Sequence, residues 1–473
     1  MPFTEPPVRF IEPDASEPLA PAAGIALCLS GGGYRAMLFH LGVVKRLNEL
    51  GYLWKLRRVS SVSGGSITAG VLAMNYTRLA PTTGAAANFD AEVTAPIRKL
   101  AGITVDGWSI VGGLALPGSI NDKVTASYRK HLFGERTLRD IPADNEGPRF
   151  IFNATNVQTG ALMRFSRPYV ADYRVGRLRD PSIELAVAVA ASSAFPPFLS
   201  PAHLEFKESD WIEEKGNDLH RAPYTTDVVL TDGGVYDNLG LETAWKRYTT
   251  ILVSDGGGHI APEPSPHQDW ARHSKRILDV IDNQVRSLRK RQLIDSYQLP
   301  AGHEHYRTGA YWGIRSDVAD YSLPPITGYP FTPAACPYDT TMALADVDTR
   351  LKALDDTIQE RLINWGYAIC DVAMRRHVDP QLPLPAGFPY PTAGLGSGRG
   401  GFHDQSEGPR IRPPAGARPR CGGGVPHALR DDPRGTHADR ALHARHRPDA
   451  SPARHREGRS EVRRPRVLRR QRG

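Results

Sequence analysis

Three short stretches of this 473-residue chain carry side chains and backbone groups that could do chemistry together. The first is Val59 to Gly70, which reads as a strand driven through a tight turn into a helix with Ser63 at the apex. A serine on such an elbow presents its hydroxyl at the carboxyl end of a sheet, where ligands of open α/β folds gather. Ser61 stands where the G-x-S-x-G pattern has its first glycine, and Gly65 supplies the second. The bland alternative for Ser63 is a helix N-cap.

The second stretch, Ser30-Gly31-Gly32-Gly33, lies between an apolar strand and a helix. Its amides are sterically open at the positive end of a helix dipole, so an anion belongs there. One candidate is a dinucleotide pyrophosphate, because Gly31, Gly33 and Ala36 fit the G-x-G-x-x-G/A spacing. That reading needs an acidic residue about 20 positions on to hold the ribose, and no carboxylate occurs between Glu49 and Asp90. The other candidate is the oxyanion of a tetrahedral acyl intermediate, for which each preorganised donor contributes roughly 10²- to 10³-fold in rate. The third stretch is a pair of strand ends, Thr231-Asp232-Gly233-Gly234 and Ser254-Asp255-Gly256-Gly257, either of which sets an aspartate on the rim that carries Ser63.

The elements that must position these groups follow from apolar spacing. Ile25 to Leu29 is a continuous apolar run, as a strand buried on both faces requires. Ala36, Phe39, Val43, Leu47 and Leu50 recur at helical spacing with Gly51 as the stop. Arg58 to Val62 and a helix through Met74 complete a βαβα unit with parallel strands. From Asn75 to Gly147 an inserted helical or lid region is expected. A strand over Arg149 to Thr155 and a hairpin partner over Ala161 to Phe165 come next. Asp180-Pro181-Ser182 then caps a helix that runs through Ala191 and stops before Phe195-Pro196-Pro197-Phe198. Strands over Asp227 to Leu230 and Ile251 to Val253 precede two long helices, from Trp270 to Tyr297 and from Met342 to Arg375. Their charged residues predict solvated outer faces.

Composition sets the limits. Hydrophobic residues make up 40% of the chain, enough for a large core. The net charge of +8 suggests a polyanion partner until it is located: from Arg399 onward there are 19 Arg, no Lys and 8 acidic residues, which leaves the rest of the chain slightly acidic. Cys28, Cys336, Cys370 and Cys421 have neither metal-ligand nor disulfide spacing and fit reduced thiols of a cytoplasmic protein. The first residues lack the basic start and apolar core of a secretory signal, and no apolar run reaches spanning length, so membrane contact is expected to be peripheral. The expected organisation is an extended arm over residues 1–22, a catalytic domain over 23–378 and a disordered Pro/Gly/Arg-rich tail over 379–473.

Ser30-Gly31-Gly32-Gly33-Tyr34-Arg35, Ser61-Val62-Ser63-Gly64-Gly65-Ser66 and Asp232-Gly233-Gly234 closely resemble, in order and spacing, the three blocks of the patatin-like phospholipases. Phe152 to Thr155, Ala191 to Pro197 and Val235 to Gly240 extend the resemblance across about residues 24–260. It implies a three-layer α/β/α fold with a mainly parallel central sheet. It also implies a serine acyl hydrolase of phospholipid or lysophospholipid esters, with Ser63 as nucleophile, Asp232 as general base and the Gly31, Gly32 and Gly33 backbone as oxyanion hole. No cofactor, metal or nucleic acid partner is implied, and the substrate is met peripherally at the inner membrane face. Two rival readings stay open: a Ser63, Asp232, His259 triad of α/β-hydrolase type, and a catalytically idle lipid-binding scaffold. Asp255 rivals Asp232 as base. Arg35 and Tyr34 either meet a phosphate headgroup or cap local carbonyls, and Phe195 to Phe198 forms either an acyl groove or a proline-stiffened core loop.

Overall fold

The computed structural model of the protein describes residues 21–79, 84–105, 120–258 and 260–396. In chain order it forms β1 (Ala22–Leu29), α1 (Gly33–Glu49), β2 (Leu56–Ser61), α2 (Gly64–Asn75), α3 (Ala95–Ala101) and α4 (Ile120–Tyr128). The strands β3 (Arg149–Asn156), β4 (Ala161–Phe165), β5 (Tyr169–Asp172) and β6 (Gly176–Arg179) follow, then α5 (Leu185–Ser192). Next come β7 (Ala202–Glu205), β8 (Trp211–Ile212), β9 (Asp227–Asp232), α6 (Gly234–Asp237), α7 (Glu242–Trp245) and β10 (Tyr248–Asp255). The last elements are α8 (Trp270–Gln298), β11 (Thr308–Gly313), α9 (Tyr338–Ala345) and α10 (Asp356–His377).

The sheet runs β11-β10-β1-β2-β3-β4-β5-β6-β8, with β9 beside β3 and β7 beside β9. From β11 to β3 every neighbour is parallel, and beyond β3 the pairs are antiparallel. The apolar strands divide their side chains between two cores. Leu27, Leu29 and Leu252 join α1, α2 and α10 on one face, whereas Ala26, Cys28, Ile251 and Val253 meet Trp245 and Leu293 on the other. This alternation makes three layers, helix on sheet on helix. Because β2 and β10 flank β1 on opposite sides, the loop after β1 lies at a switch point of the strand order, where crevices form at the carboxyl ends of strands.

Four expectations change. Residues 1–20 of the expected arm lie outside the described residues, and Ala22 already opens β1, paired with Tyr248. The helix expected from Asp180 starts only at Leu185, because Asp180 takes a left-handed φ of 44° and Glu184 is still extended. The helix expected from Met342 to Arg375 is two helices, α9 and α10, and α10 is a core element rather than a solvated one. It crosses α1 backbone to backbone at Gly42 and Gly366, where a β-carbon on Gly366 would lie 1.9 Å from the Phe39 carbonyl. Its polar residues are buried with partners: Asp371 takes Arg46 at 2.7 Å and the Tyr329 hydroxyl at 2.7 Å. Finally, residues 379–396, assigned to the tail by composition, belong to the folded body. Leu382 and Leu395 are buried in the core, and Asn364 donates to the Tyr390 and Gly394 carbonyls. The rest of the expected tail, 397–473, lies outside the described residues.

Candidate active site

The first site residue is set by the elbow between β2 and α2. Ser63 adopts φ 50° and ψ −122°, a region that costs a non-glycine residue about 1–3 kcal/mol and persists only when its surroundings over-determine it. They do so here. The Ser63 amide donates to both the carbonyl (3.2 Å) and the hydroxyl (3.1 Å) of Ser192 at the end of α5. The Ser192 hydroxyl in turn bonds Ser66 at 2.8 Å and donates to the Asn153 carbonyl at 2.7 Å. Ser61 holds the base of the same network, accepting from Ser66 at 3.0 Å and donating to the Ile151 carbonyl at 3.1 Å. A glycine at position 61 would supply neither bond.

Asp232 reaches this elbow by a route the strand pattern does not announce. β9 is antiparallel to β3, not parallel with the others, and it pairs on the same edge of β3 as β2 does. Phe152 is paired with Ser61 and Phe165, and Ala154 with Asp232 and Met163. The carboxyl ends of β2 and β9 therefore point at each other along one lane, two β3 residues apart. Ser192 ties the two turns together, since its carbonyl also accepts from the Gly233 amide at 3.3 Å.

The Asp232 side chain is buried, at 2% exposure, and its Oδ1 accepts from the Gly234 amide at 2.7 Å. Its Oδ2 has no hydrogen-bond partner. Burial pushes the carboxyl up to about 7, against the Gly234 amide and the Ser63 hydroxyl, which favour the charged form. In this resting arrangement the Ser63 hydroxyl makes no bond of normal length and angle with Oδ2, as is common before a substrate tightens a catalytic site. Asp255 is a different kind of residue. Burial raises its carboxyl, but Arg286, the Gly257 amide and the Tyr311 hydroxyl (2.8 Å to Oδ2) together hold it below the usual range. It is a committed ion with its oxygens in use.

The glycine loop packs directly on the elbow: a β-carbon on Gly64 would lie 2.1 Å from the Gly33 carbonyl, and one on Gly31 would lie 3.1 Å from the Ser63 β-carbon. The Gly31 amide is already spent on the Asn238 carbonyl at 3.1 Å. Among the described residues no acceptor takes the Gly32, Gly33 or Gly64 amides, so these three, rather than Gly31, are the open donors. His40 fixes the loop from behind. Burial lowers its imidazole to about 4, so the ring is neutral; Nε2–H donates to the Ser30 carbonyl at 3.0 Å and Nδ1 accepts from Ser254 at 2.8 Å.

Other expectations resolve locally. Arg35 is buried and donates to the Ala345, Val347 and Gly256 carbonyls, and Tyr34 donates to the Ile103 carbonyl, so both are structural. Phe195 is 46% exposed beside the elbow network, whereas Phe198 packs against the core. His259 lies outside the described residues. The Phe152–Thr155, Ala191–Pro197 and Val235–Gly240 blocks have a structural task that their sequence does not announce. They supply Asn153, Ser192 and Asn238, the groups that hold the elbow, the base turn and the glycine loop. A cleft of about 660 Å³ lined by Trp54, Arg57, Tyr76 and Glu146 opens at the opposite end of β2, away from these groups. Replacing Ser192 with Ala is expected to lower the turnover number about 10- to 100-fold with little change in KM, because the elbow loses one of its two ties but the acyl site is untouched. Steady-state kinetics on a soluble ester checks this.

Residues 27–245 match the family model Patatin-like phospholipase. Human GIVD cytosolic phospholipase A2 is a structural neighbour at 12% identity and a TM-score of 0.46, covering 75% of this chain and 61% of that one. The same enzyme in complex with methyl gamma-linolenyl fluorophosphonate matches at 15% identity and a TM-score of 0.43, over 75% and 57%. VipD from Legionella pneumophila matches at 16% identity and a TM-score of 0.26, over 70% and 67%. The chain thus spans about three-fifths of the length of the human phospholipase. No curated protein sequence matches it.

Proposed function

We infer that the protein is a serine hydrolase of membrane phospholipid or lysophospholipid esters that works with a Ser63–Asp232 dyad. The observation that carries this reading is the head-to-head meeting of β2 and β9, which sets a strained serine beside a buried carboxylate whose Oδ2 is unpartnered. Ser63 Oγ attacks the ester carbonyl carbon while Asp232 takes its proton. The charge that develops on the carbonyl oxygen falls to the open amides of Gly32, Gly33 and Gly64. Collapse of the tetrahedral intermediate breaks the bond to the leaving alkoxide, which receives the proton from Asp232 and departs as lysophospholipid or glycerol derivative. Water then attacks the acyl-Ser63 carbonyl, Asp232 takes the water proton, and Ser63 leaves with that proton as the fatty acid is released. No step calls on His259.

A carboxylate can act as base here only when ionised. Because Asp232 is raised to about 7, kcat/KM is expected to climb about tenfold per pH unit below that point and to level off above it. The reading is tested by incubating the protein with a panel of phosphatidylcholines, phosphatidylglycerols and their lysophospholipids across this pH range. Release of fatty acid with an apparent pKa near 7 is the expected result. Absence of fatty acid release from every lipid, or activity already at its plateau at pH 5, would overturn it.

A further inference from the structure

The rim that carries Ser63 and Asp232 continues past them to an arginine that the proposed reaction does not use. Asn238 is the step between. A β-carbon on Gly31 would lie 3.1 Å from the Ser63 β-carbon and would strike Asn238 Oδ1, and one on Gly234 would lie 2.8 Å from the same oxygen and 3.0 Å from Asp232 Oδ1. On the other side of Asn238, a β-carbon on Gly257 would lie 3.3 Å from its Nδ2 and 2.9 Å from Asp255 Oδ1, and would strike Arg286 Nη1. Gly257 therefore leaves the room that the guanidinium occupies. Arg286 belongs to the inward side of α8, in line with Leu293, which is buried in the second core. It lies beyond the residues 27–245 that match the family model.

Arg286 is half-buried, yet among the described residues no acceptor takes any of its N–H groups. Asp255 and Asp282 face it without entering ion-pair distance. Asp255 spends Oδ1 on the Gly257 amide at 2.9 Å and Oδ2 on the Tyr311 hydroxyl at 2.8 Å, so Arg286 acts on it only through space. The neighbouring cations are committed elsewhere: Arg35 donates to three carbonyls, Arg289 pairs with Glu242 at 2.6 Å, and the Lys290 ammonium lies over the Tyr311 ring at 4.7 Å. A guanidinium offers five donors in a planar fork that matches a phosphate bidentately. In a glycerophospholipid one glycerol unit joins the phosphodiester to the ester carbonyl, so a cation one side chain removed from the nucleophile is placed to meet it. We propose that Arg286 is a specificity residue that binds the phosphodiester of a phospholipid substrate while Ser63 attacks its ester. The proposal rests on the hydrolase reading and names what that site selects.

The test compares two soluble esters on the full chain, dibutyroyl phosphatidylcholine and dibutyroylglycerol, which differ in the phosphodiester headgroup. In Arg286→Gln the ratio of kcat/KM for the phospholipid to that for the diacylglycerol is expected to fall about 10- to 100-fold, mostly through KM on the phospholipid. Arg286→Lys keeps the charge without the fork and is expected to recover part of that ratio; it carries the test if the glutamine variant fails to fold. A ratio unchanged in both variants overturns the proposal. So does stimulation of dibutyroylglycerol hydrolysis by inorganic phosphate in wild type but not in Arg286→Gln, which would make the occupant a free anion rather than the substrate's own headgroup. Binding is read separately by calorimetric titration of the diether analogue of the phospholipid, which has no ester, into Ser63→Ala with and without Arg286→Gln. A weakening of about tenfold or more is expected. Arg286-dependent binding with no Ser63-dependent hydrolysis of any ester would leave the phosphate site standing and sink the hydrolase reading. Ester hydrolysis with an unmoved ratio and unmoved binding would do the reverse.

Discussion

Replacing Ser63 with Ala is expected to lower the turnover number by about 10⁴- to 10⁶-fold, the scale of nucleophile removal in serine hydrolases. The loss should come without loss of fold. The elbow is held through the Ser63 amide, not its hydroxyl, so the bonds to Ser192 survive the substitution. Alanine at a φ of 50° is strained much as serine is, and the strain is already met by the contacts of Gly31, Gly64 and Ser192. Thermal melting and far-UV circular dichroism like those of wild type, together with the collapse of lipid and soluble-ester hydrolysis alike, would separate removal of the nucleophile from general damage. Residual activity within tenfold of wild type would show that another group attacks the ester.

Asp232→Asn makes a second large effect with an opposite sign in stability. The amide cannot take the Ser63 proton, so turnover is expected to fall by about 10³-fold or more. Folding responds differently because the carboxyl is raised in the folded chain. Unfolded, Asp232 ionises near its ordinary value of 3.8; folded, it does so at about 7. Its contribution to stability is therefore complete below about pH 4 and is lost as pH rises to 7, beyond which the folded protein bears a buried charge. The asparagine keeps an oxygen for the Gly234 amide and carries no charge. The variant is expected to be more stable than wild type by ~1–4 kcal/mol at pH 8, with the advantage gone near pH 4. Denaturant unfolding at the two pH values measures it. A variant less stable at pH 8 would mean that the Asp232 charge is compensated in the folded state and that the carboxylate is not held as a poised base.

The parts of this site that could be read from the chain are the local ones. Ser63 and the loop from Ser30 to Gly33 each declare themselves by a strand, small residues and a helix within a dozen positions, and their pairing follows from one right-handed crossover. Asp232 is different. Its residue type and strand end were visible, but its meeting with Ser63 depends on β9 running back along the lane of β2, a pairing across some 170 residues that no local periodicity encodes. The same holds for the candidate oxyanion donors: the resemblance puts forward the Gly31, Gly32 and Gly33 amides together, and only the Asn238 carbonyl, contributed from beyond β9, shows that the Gly31 amide is taken.

Helix orientation was equally hidden. The charges of α10 suggested a solvated face, yet Asp371, Arg375 and Asn364 are buried because α1 and residues 379–396 meet their hydrogen bonds. In α8 periodicity reveals a stripe without telling which way it faces. Leu293 and Tyr297 turn inward to the second core, whereas Trp270, Ile277, Ile281 and Leu288 are exposed.

The central claim is that Ser63 is a nucleophile activated by Asp232. Labelling of the folded protein with a fluorophosphonate, followed by peptide mass spectrometry, tests it most directly. A single modified residue, Ser63, is expected, with labelling abolished in Ser63→Ala and slowed by about 10²-fold or more in Asp232→Asn. Modification of a different serine, or labelling of Asp232→Asn at the wild-type rate, would contradict it.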